Sequence, residues 1–172
     1  MHSRSIGCPI NNTLETFGDR WSLIILRDTM FGGERRSFRS LLTGSIEGIA
    51  SNILTDRLKR LTANGLLSRG ADPRHKQRVL YSLTEKAIDL VPLMAAMGSW
   101  GLRHTNPAAD LASGAQVLEE GGPLLWEQFM QELRHIHLGA PPPDVSAFAR
   151  MEAAYEAVVA TEMQAGQVAR VA

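Results

Sequence analysis

SFRSLLTGSIEGIASNILTDRLKRLTANG, residues 37–65, is the stretch of sequence that decides the fold. Ser37 is suited to cap a short helix, and the glycines within 44–48 predict a turn after it. Over 49–64 the apolar residues recur three and four positions apart, which predicts a second helix with one buried stripe. Two helices joined by a short glycine-containing turn form a helix-turn-helix.

The elements on both sides of this stretch extend the helix-turn-helix into its winged variant. A hairpin follows the second helix, as a wing requires. The predicted elements outside 37–65 are helices over 9–17 and 20–31, strands over 66–71 and 79–83 around a polar turn at 72–77, a long helix over 85–103, and helices over 123–138 and 144–164. The residues on the apolar side of the long helix are Ile88, Val91, Leu93, Met94, Met97 and Trp100. The predicted fold class is mainly α with a small β-hairpin: a winged helix-turn-helix domain plus a C-terminal helical extension.

The charges of the chain are divided between its two ends, although the formal net charge is +0. Residues 1–104 contain 15 Lys and Arg against 9 Asp and Glu, a net charge of +6, whereas residues 105–172 contain 3 against 9, a net charge of −6. Pro107 breaks the pattern at the same place. We therefore expect a DNA-binding domain over 1–104 and an acidic extension over 105–172, because a basic half favours a polyanionic partner.

The helix over 49–64 has the two faces that a recognition helix needs. Its apolar stripe would hold it on the core, and short polar side chains on the opposite face would reach base edges in the major groove. Cations around this face would contact phosphates. The DNA-binding candidates are Arg36, Ser37, Arg39, Ser51, Asn52, Thr55, Arg57, Lys59, Arg74, Lys76 and Arg78, with Arg35 as a further cation. For Arg57, an internal ion pair with Asp56 or Glu47 is the alternative.

Other classes of protein find little support in the sequence. Phosphate loops, dinucleotide fingerprints, GxSxG and HExxH are missing, so we expect neither an enzyme nor a cofactor. His135 and His137 point in different directions on a helix, so no metal site is expected. The absence of an apolar run of about 18 residues and of a signal peptide predicts a cytoplasmic protein without a membrane partner.

Short motifs along 8–104 resemble the HxlR-type transcriptional regulators, relatives of the MarR group. The motifs are Cys8-Pro9, Asp19-Arg20-Trp21 with Leu26-Arg27-Asp28, Ser37-Phe38 with Leu41-Leu42, Gly48-Ile49, Leu54-Thr55-Asp56-Arg57-Leu58, Asn64-Gly65-Leu66 and Tyr81-Ser82-Leu83-Thr84-Glu85-Lys86. The resemblance implies a homodimeric regulator, a repressor in our interpretation, that binds a palindromic operator in double-stranded DNA. This chain departs from the family at 74–78, where a proline pair is common, and in continuing beyond Trp100-Gly101.

Cys8 is the only cysteine of the chain and precedes the proline that begins the first predicted helix. The positive end of a helix dipole favours the reactive thiolate. Several HxlR-type regulators sense oxidants or electrophiles through a cysteine in this motif, so the resemblance implies the same role for Cys8. The alternative is a small buried hydrophobic residue or an inert capping residue.

The family resemblance does not extend to residues 105–172. Their helices are too short to be stable alone, so they must pack on the first domain or on a second subunit. Dimerisation is the favoured role, and control by a small-molecule effector bound by these helices is the alternative. A winged-helix adaptor that binds protein instead of DNA is a further alternative function.

Overall fold

The fold is known from a computed structural model, which describes the backbone of residues 7–33 and 36–171 and the side chains of these except Lys76 and 166–171. The elements follow one another as α1 (Pro9–Phe17), α2 (Arg20–Phe31), α3 (Phe38–Gly44), α4 (Ser51–Ala63), β1 (Leu67–Asp72), β2 (His75–Leu83), α5 (Glu85–Ile88), α6 (Val91–His104), α7 (Ala109–Leu138) and α8 (Ala147–Val171). The predicted fold class is confirmed: helices dominate, and one hairpin follows the helix-turn-helix.

The chain divides into two compact units. The first comprises the residues up to Ile88 together with Ile136–Leu138, and the second comprises Asp89–His135 and the residues from Gly139 onward. The units therefore separate after Ile88, so α6 belongs to the second. The boundary that the charge pattern places at residue 104 concerns function, and it stays a prediction.

The core of the first unit lies between α2 and α4. Leu54, Leu58 and Leu61 form the predicted stripe of α4, and each is at most 1% exposed. They are buried with Leu26 and Met30 of α2, which have no exposed surface. Burial of a leucine side chain contributes about 1.5–3 kcal/mol, so this stripe holds α4 on the domain.

The hairpin is antiparallel, with Leu67 opposite Leu83 at its base. Its turn is tighter than the predicted turn over 72–77, because β2 already begins at His75. Asp72 explains this: its carboxylate accepts a hydrogen bond from the Arg74 amide at 2.8 Å and lies 3.3 Å from the guanidinium of Arg78. The buried carboxylate of Asp72 therefore stabilises a tight turn by binding the main chain two residues further on.

The long helix predicted over 85–103 is two helices, α5 and α6. Pro92 occupies the first turn of α6, where its missing N–H costs nothing, whereas inside one continuous helix it would remove a hydrogen bond. The predicted apolar side is confirmed only at Ile88 and Val91, which are buried. The residues that α6 buries are Val91, Ala95 and Ser99, while Leu93, Met97 and Trp100 are 40%, 46% and 58% exposed.

The second unit is built from α6, α7 and α8. A Cβ on Gly98 would lie 3.2 Å from the Cβ of Ala115, so α6 and α7 pack closely there. Gly122 interrupts α7 with a φ of 55°, and the predicted helix over 123–138 is the part that follows it. Phe129 packs edge-on against Phe148 with ring centroids 5.2 Å apart, which joins α7 to α8.

Candidate nucleic-acid interface

The face of α4 opposite its buried stripe carries the predicted base readers. Ser51, Asn52, Thr55 and Lys59 are all exposed there. The hydroxyl of Thr55 donates to the carbonyl oxygen of Ser51 at 2.8 Å and keeps its oxygen as an acceptor. Ala50 caps the helix without a side-chain hydrogen bond, so the first amides of α4 can also serve an anion. This face offers donors and acceptors along the first turns of the helix.

Ser37 and Arg39 lie at the start of α3 and have different environments. The hydroxyl oxygen of Ser37 accepts from the Ser40 amide at 3.1 Å, and the Ser40 hydroxyl oxygen accepts from the Ser37 amide at 2.9 Å. This reciprocal capping box gives Ser37 a structural role. Arg39, two residues on, is exposed.

Arg36 points into the first unit. Its guanidinium donates to the hydroxyl of Ser82 at 3.0 Å and to the carbonyl oxygen of Ile136 at 3.1 Å. Its Nε is buried. The main chain beside it is also engaged, since the Arg36 carbonyl oxygen accepts from the Tyr81 amide at 2.8 Å. The surroundings of Arg36 are therefore those of a structural residue at the base of the wing.

The hairpin presents the remaining predicted cations. Arg74 is exposed at the turn, and Arg78 is half exposed beside Asp72. Lys76 was predicted to contact DNA, but its side chain is not among the described ones. Arg35 lies outside the described residues.

His137 lies beside Arg36 in the first unit. Its Nδ1 accepts a hydrogen bond from the Leu83 amide at 3.2 Å, which requires that nitrogen to be unprotonated. Burial and, to a lesser extent, the positive charge of Arg36 lower the pKa of His137 to about 4, although a backbone hydrogen bond with Thr29 acts in the opposite direction. The imidazole is thus neutral at pH 7 and serves as an acceptor for the last residue of β2.

Arg57 is the one α4 cation of the predicted set that is held by carboxylates. Its Nε donates a hydrogen bond to the carboxylate of Asp19 at 2.8 Å, and its Nη1 donates one to the carboxylate of Asp56. Burial alone would raise the pKa of Asp19, but hydrogen bonds from Ser22 and Arg57 outweigh it and hold that pKa below its ordinary value. The internal ion pair considered for Arg57 therefore exists with Asp56, and sequence reasoning missed the second partner, Asp19.

Glu47, the other acid considered for Arg57, is paired with Arg27 instead. Two hydrogen bonds of 2.6 and 2.8 Å join the guanidinium of Arg27 to the two oxygens of Glu47. These bonds lower the pKa of Glu47 against the opposing effect of burial. The bidentate pair ties α2 to the loop between α3 and α4.

Cys8 occupies the N-cap position of α1 and is exposed. It makes no side-chain capping hydrogen bond, while its carbonyl oxygen accepts from the Asn12 amide at 3.0 Å. The thiol is therefore accessible to a reagent in solution.

Neither a metal site nor a membrane-spanning helix occurs among the described residues. Across 7–33 and 36–171, no three His, Cys, Asp or Glu residues come together in a way that could hold a metal ion. In the same part of the chain, no helix is long and apolar enough to cross a membrane.

Comparison with known proteins places this geometry in a family. The family model for HxlR-like helix-turn-helix proteins matches residues 16–109. The HTH-type transcriptional regulator sll1512 of Synechocystis is 33% identical over 94 residues, which are 55% of this chain and 67% of that protein. YodB of Bacillus subtilis, also an HTH-type transcriptional regulator, is 31% identical over 101 residues, 58% of this chain and 88% of YodB.

A solved structure agrees. The redox regulator HypR in its oxidised form superposes with a TM-score of 0.51 at 30% identity, over 58% of this chain and 100% of that one. The matched region contains α2 to α6 and hence the whole helix-turn-helix and wing. Because the family match spans more than half of the chain, the chain belongs to the HxlR-like helix-turn-helix family: it is a DNA-binding transcription regulator and not an enzyme.

Proposed function

We propose that the protein acts in the cytoplasm as a homodimeric repressor on a palindromic operator and responds to oxidants or electrophiles through Cys8. The observation that carries the proposal is the exposed polar face of α4, held in place by a fully buried apolar stripe on its other side. A helix of this kind can enter the major groove without losing its packing.

Within this proposal, α4 reads bases and the surrounding cations contact phosphates. Asn52 can bind adenine with two hydrogen bonds, and Ser51 and Thr55 can bind neighbouring bases. Arg36, Ser37 and Arg57 were also predicted to contact DNA, but their contacts within the first unit favour structural roles. The proposed phosphate contacts are Arg39, Lys59, Arg74, Lys76 and Arg78.

The homodimer is supported by α6. Leu93, Met97 and Trp100 recur at spacings of four and three, on the side of the helix opposite its buried residues. The Trp100 ring also packs against the His104 ring at a tilt of 37°, with ring centroids 4.9 Å apart. A contiguous apolar stripe of this size marks an interaction surface, and a symmetric dimer buries the same stripe from each subunit. The acidic extension over 105–172 would add to this dimer, and control by a small ligand is the alternative.

Two substitutions on α4 test the proposed DNA contacts after bound fragments have been selected from genomic DNA. Asn52→Ala should weaken binding to the selected operator by about 1–3 kcal/mol and relax the sequence preference at one base pair. Lys59→Met should weaken binding to all DNA sequences alike and reduce the slope of log K against log salt concentration by about 0.9, the amount expected for one phosphate contact. Gel shifts or fluorescence anisotropy at several salt concentrations measure both.

Each outcome distinguishes the regulator from the alternative. If the wild-type protein binds every fragment equally, or binds DNA without salt dependence, the proposed operator binding is wrong and the protein-binding adaptor is favoured. If Asn52→Ala keeps full preference for the operator, α4 does not read bases through this residue.

Redox control by Cys8 has its own test. A thiol oxidant or a quinone should lower operator affinity by about 5–150-fold, the range of typical allosteric coupling, and Cys8→Ser should abolish the response. Since the chain has one cysteine, the product is a disulfide between two subunits, a mixed disulfide or an alkylated thiol. Mass spectrometry and non-reducing gels distinguish these products. An unchanged response in Cys8→Ser would refute the proposal.

A further inference from the structure

Arg57 lies on the recognition helix but away from its proposed reading face. At about 100° per residue, Arg57 is about 160° around the helix from both Thr55 and Lys59. It is only 26% exposed, whereas the neighbouring readers are exposed. A side chain in this position is badly placed to meet the same DNA groove as Thr55.

The partner of Arg57 is fully engaged. Oδ1 of Asp19 accepts from Arg57 Nε at 2.8 Å and from the Ser22 amide at 3.1 Å, while Oδ2 accepts from the Ser22 hydroxyl at 2.6 Å. Asp19 is also the N-cap of α2. One carboxylate therefore caps α2 and binds α4, so the first turn of α2 and the middle of α4 are held to one another.

Two further side chains strengthen the same edge of α4. Arg60 donates to the carbonyl oxygen of Glu15 at 2.5 Å, and Asn64 donates to the carbonyl oxygen of Thr16 at 2.8 Å. Apolar packing resists separation of the helices but has little directional preference. Hydrogen bonds along one edge add the directional constraint that fixes the rotation of α4 about its axis.

We propose that Asp19 and Arg57 are positioning residues that set the orientation of the reading face and that Arg57 is not a phosphate contact. The inference rests on the proposed DNA binding, which requires base readers held to about 0.5 Å. It assigns to an acidic residue, remote from DNA, a favourable effect on DNA affinity.

The test begins with Asp19→Ser, because positioning and electrostatics predict opposite changes in DNA affinity. Removing a negative charge should strengthen binding to a polyanion, whereas loss of the positioning contact should weaken operator binding by about tenfold with an unchanged salt slope. Serine caps helices as well as aspartate does, so α2 should keep its cap, while the shorter side chain no longer reaches Arg57.

Companion variants separate positioning from phosphate contact. Arg57→Met should cost the same tenfold with an unchanged slope, and the double variant should lose less affinity than the two single losses combined, because both substitutions remove the Asp19–Arg57 contact. Arg57→Lys should restore most of the affinity through its remaining charge pair with Asp19. Lys59→Met is the matched control on the reading face, and it alone should reduce the slope by about 0.9.

Hydrogen exchange of the α4 amides tests the contact without DNA. Faster exchange in Asp19→Ser than in Lys59→Met is the expected result, and it holds even if the wild-type protein fails to bind an operator, which would refute the proposed function alone. The inference is overturned if Asp19→Ser binds as tightly as wild type or more tightly, if Arg57→Met reduces the slope as Lys59→Met does, or if exchange in α4 is unchanged.

Discussion

Met97→Glu should convert the proposed homodimer into monomers and lower operator affinity by about 100-fold or more; this is the largest effect on DNA binding that we expect. Met97 lies at the centre of the exposed apolar stripe of α6, flanked by Leu93 and Trp100. In a symmetric dimer each stripe meets its copy, so one substitution introduces two carboxylates into one apolar interface, and unpaired buried charges are strongly destabilising.

The loss of DNA affinity follows from the loss of bivalency. A dimer that holds one half-site binds the second at a high effective concentration, which raises affinity by about 10²–10⁴-fold over one site. The folded monomer should remain intact, because Met97 is 46% exposed and glutamate forms helices about as well as methionine.

Sedimentation velocity gives the mass of the assembly, and a gel shift on the selected operator gives the affinity. Leu124→Glu is the matched control, since Leu124 is an apolar residue of the same unit that is 73% exposed but lies outside the stripe. A Met97→Glu protein that stays dimeric, or a wild-type protein that is monomeric at micromolar concentration, would show that α6 does not form the interface.

The stability of the protein should decrease steeply as the pH falls, and His137 is the cause. The pKa of this imidazole lies at about 4 in the folded protein, against 6.5 for an ordinary histidine. The unfolded chain therefore binds the proton first as the pH falls, and the free energy of unfolding decreases between about pH 6.5 and pH 4. The total reaches about 3 kcal/mol, of which about 2 kcal/mol is lost by pH 5.

His137→Asn isolates this effect. The side-chain oxygen of asparagine can accept the hydrogen bond from the Leu83 amide but cannot be protonated in this range, so the decrease between pH 7 and pH 5 should largely disappear. Urea unfolding at each pH measures it. His75→Asn, at an exposed position of β2, is the control and should keep the wild-type decrease.

The carboxylates that tie the helices together titrate in a different window. The pKa values of Asp19 and Glu47 lie below their ordinary values of 3.8 and 4.5, so the stability they contribute is present above those values and is lost only as the pH falls further. A decrease that persists in His137→Asn between pH 7 and pH 5 would therefore contradict the assignment to His137.

Local patterns predicted the first unit well. The spacing of Leu54, Leu58 and Leu61 identified the buried side of α4, and the capping residues Asp19 and Ser37 marked where α2 and α3 begin. These signals act within a few residues along the chain, so no knowledge of the tertiary structure is needed to interpret them.

The errors arose where a distant partner decides the outcome. Both sides of α6 carry apolar residues, so periodicity alone cannot show that the small residues Ala95 and Ser99 are buried and the large Trp100 is exposed. Likewise, the hydrogen-bonding partners of Arg57 and Arg36 lie 38 and 100 positions away in the sequence. A list of cations near a recognition helix cannot separate those that face DNA from those that hold the domain together.

The discontinuous composition of the first unit has a consequence for its synthesis. Ile136–Leu138 complete this unit, and they supply the acceptors for Leu83 and for Arg36. A nascent chain that has emerged only as far as the end of the family match, residue 109, still lacks them. The base of the wing therefore closes late, after nearly thirty further residues have left the ribosome, and a DNA-binding fragment should be cut after residue 138 and not before it.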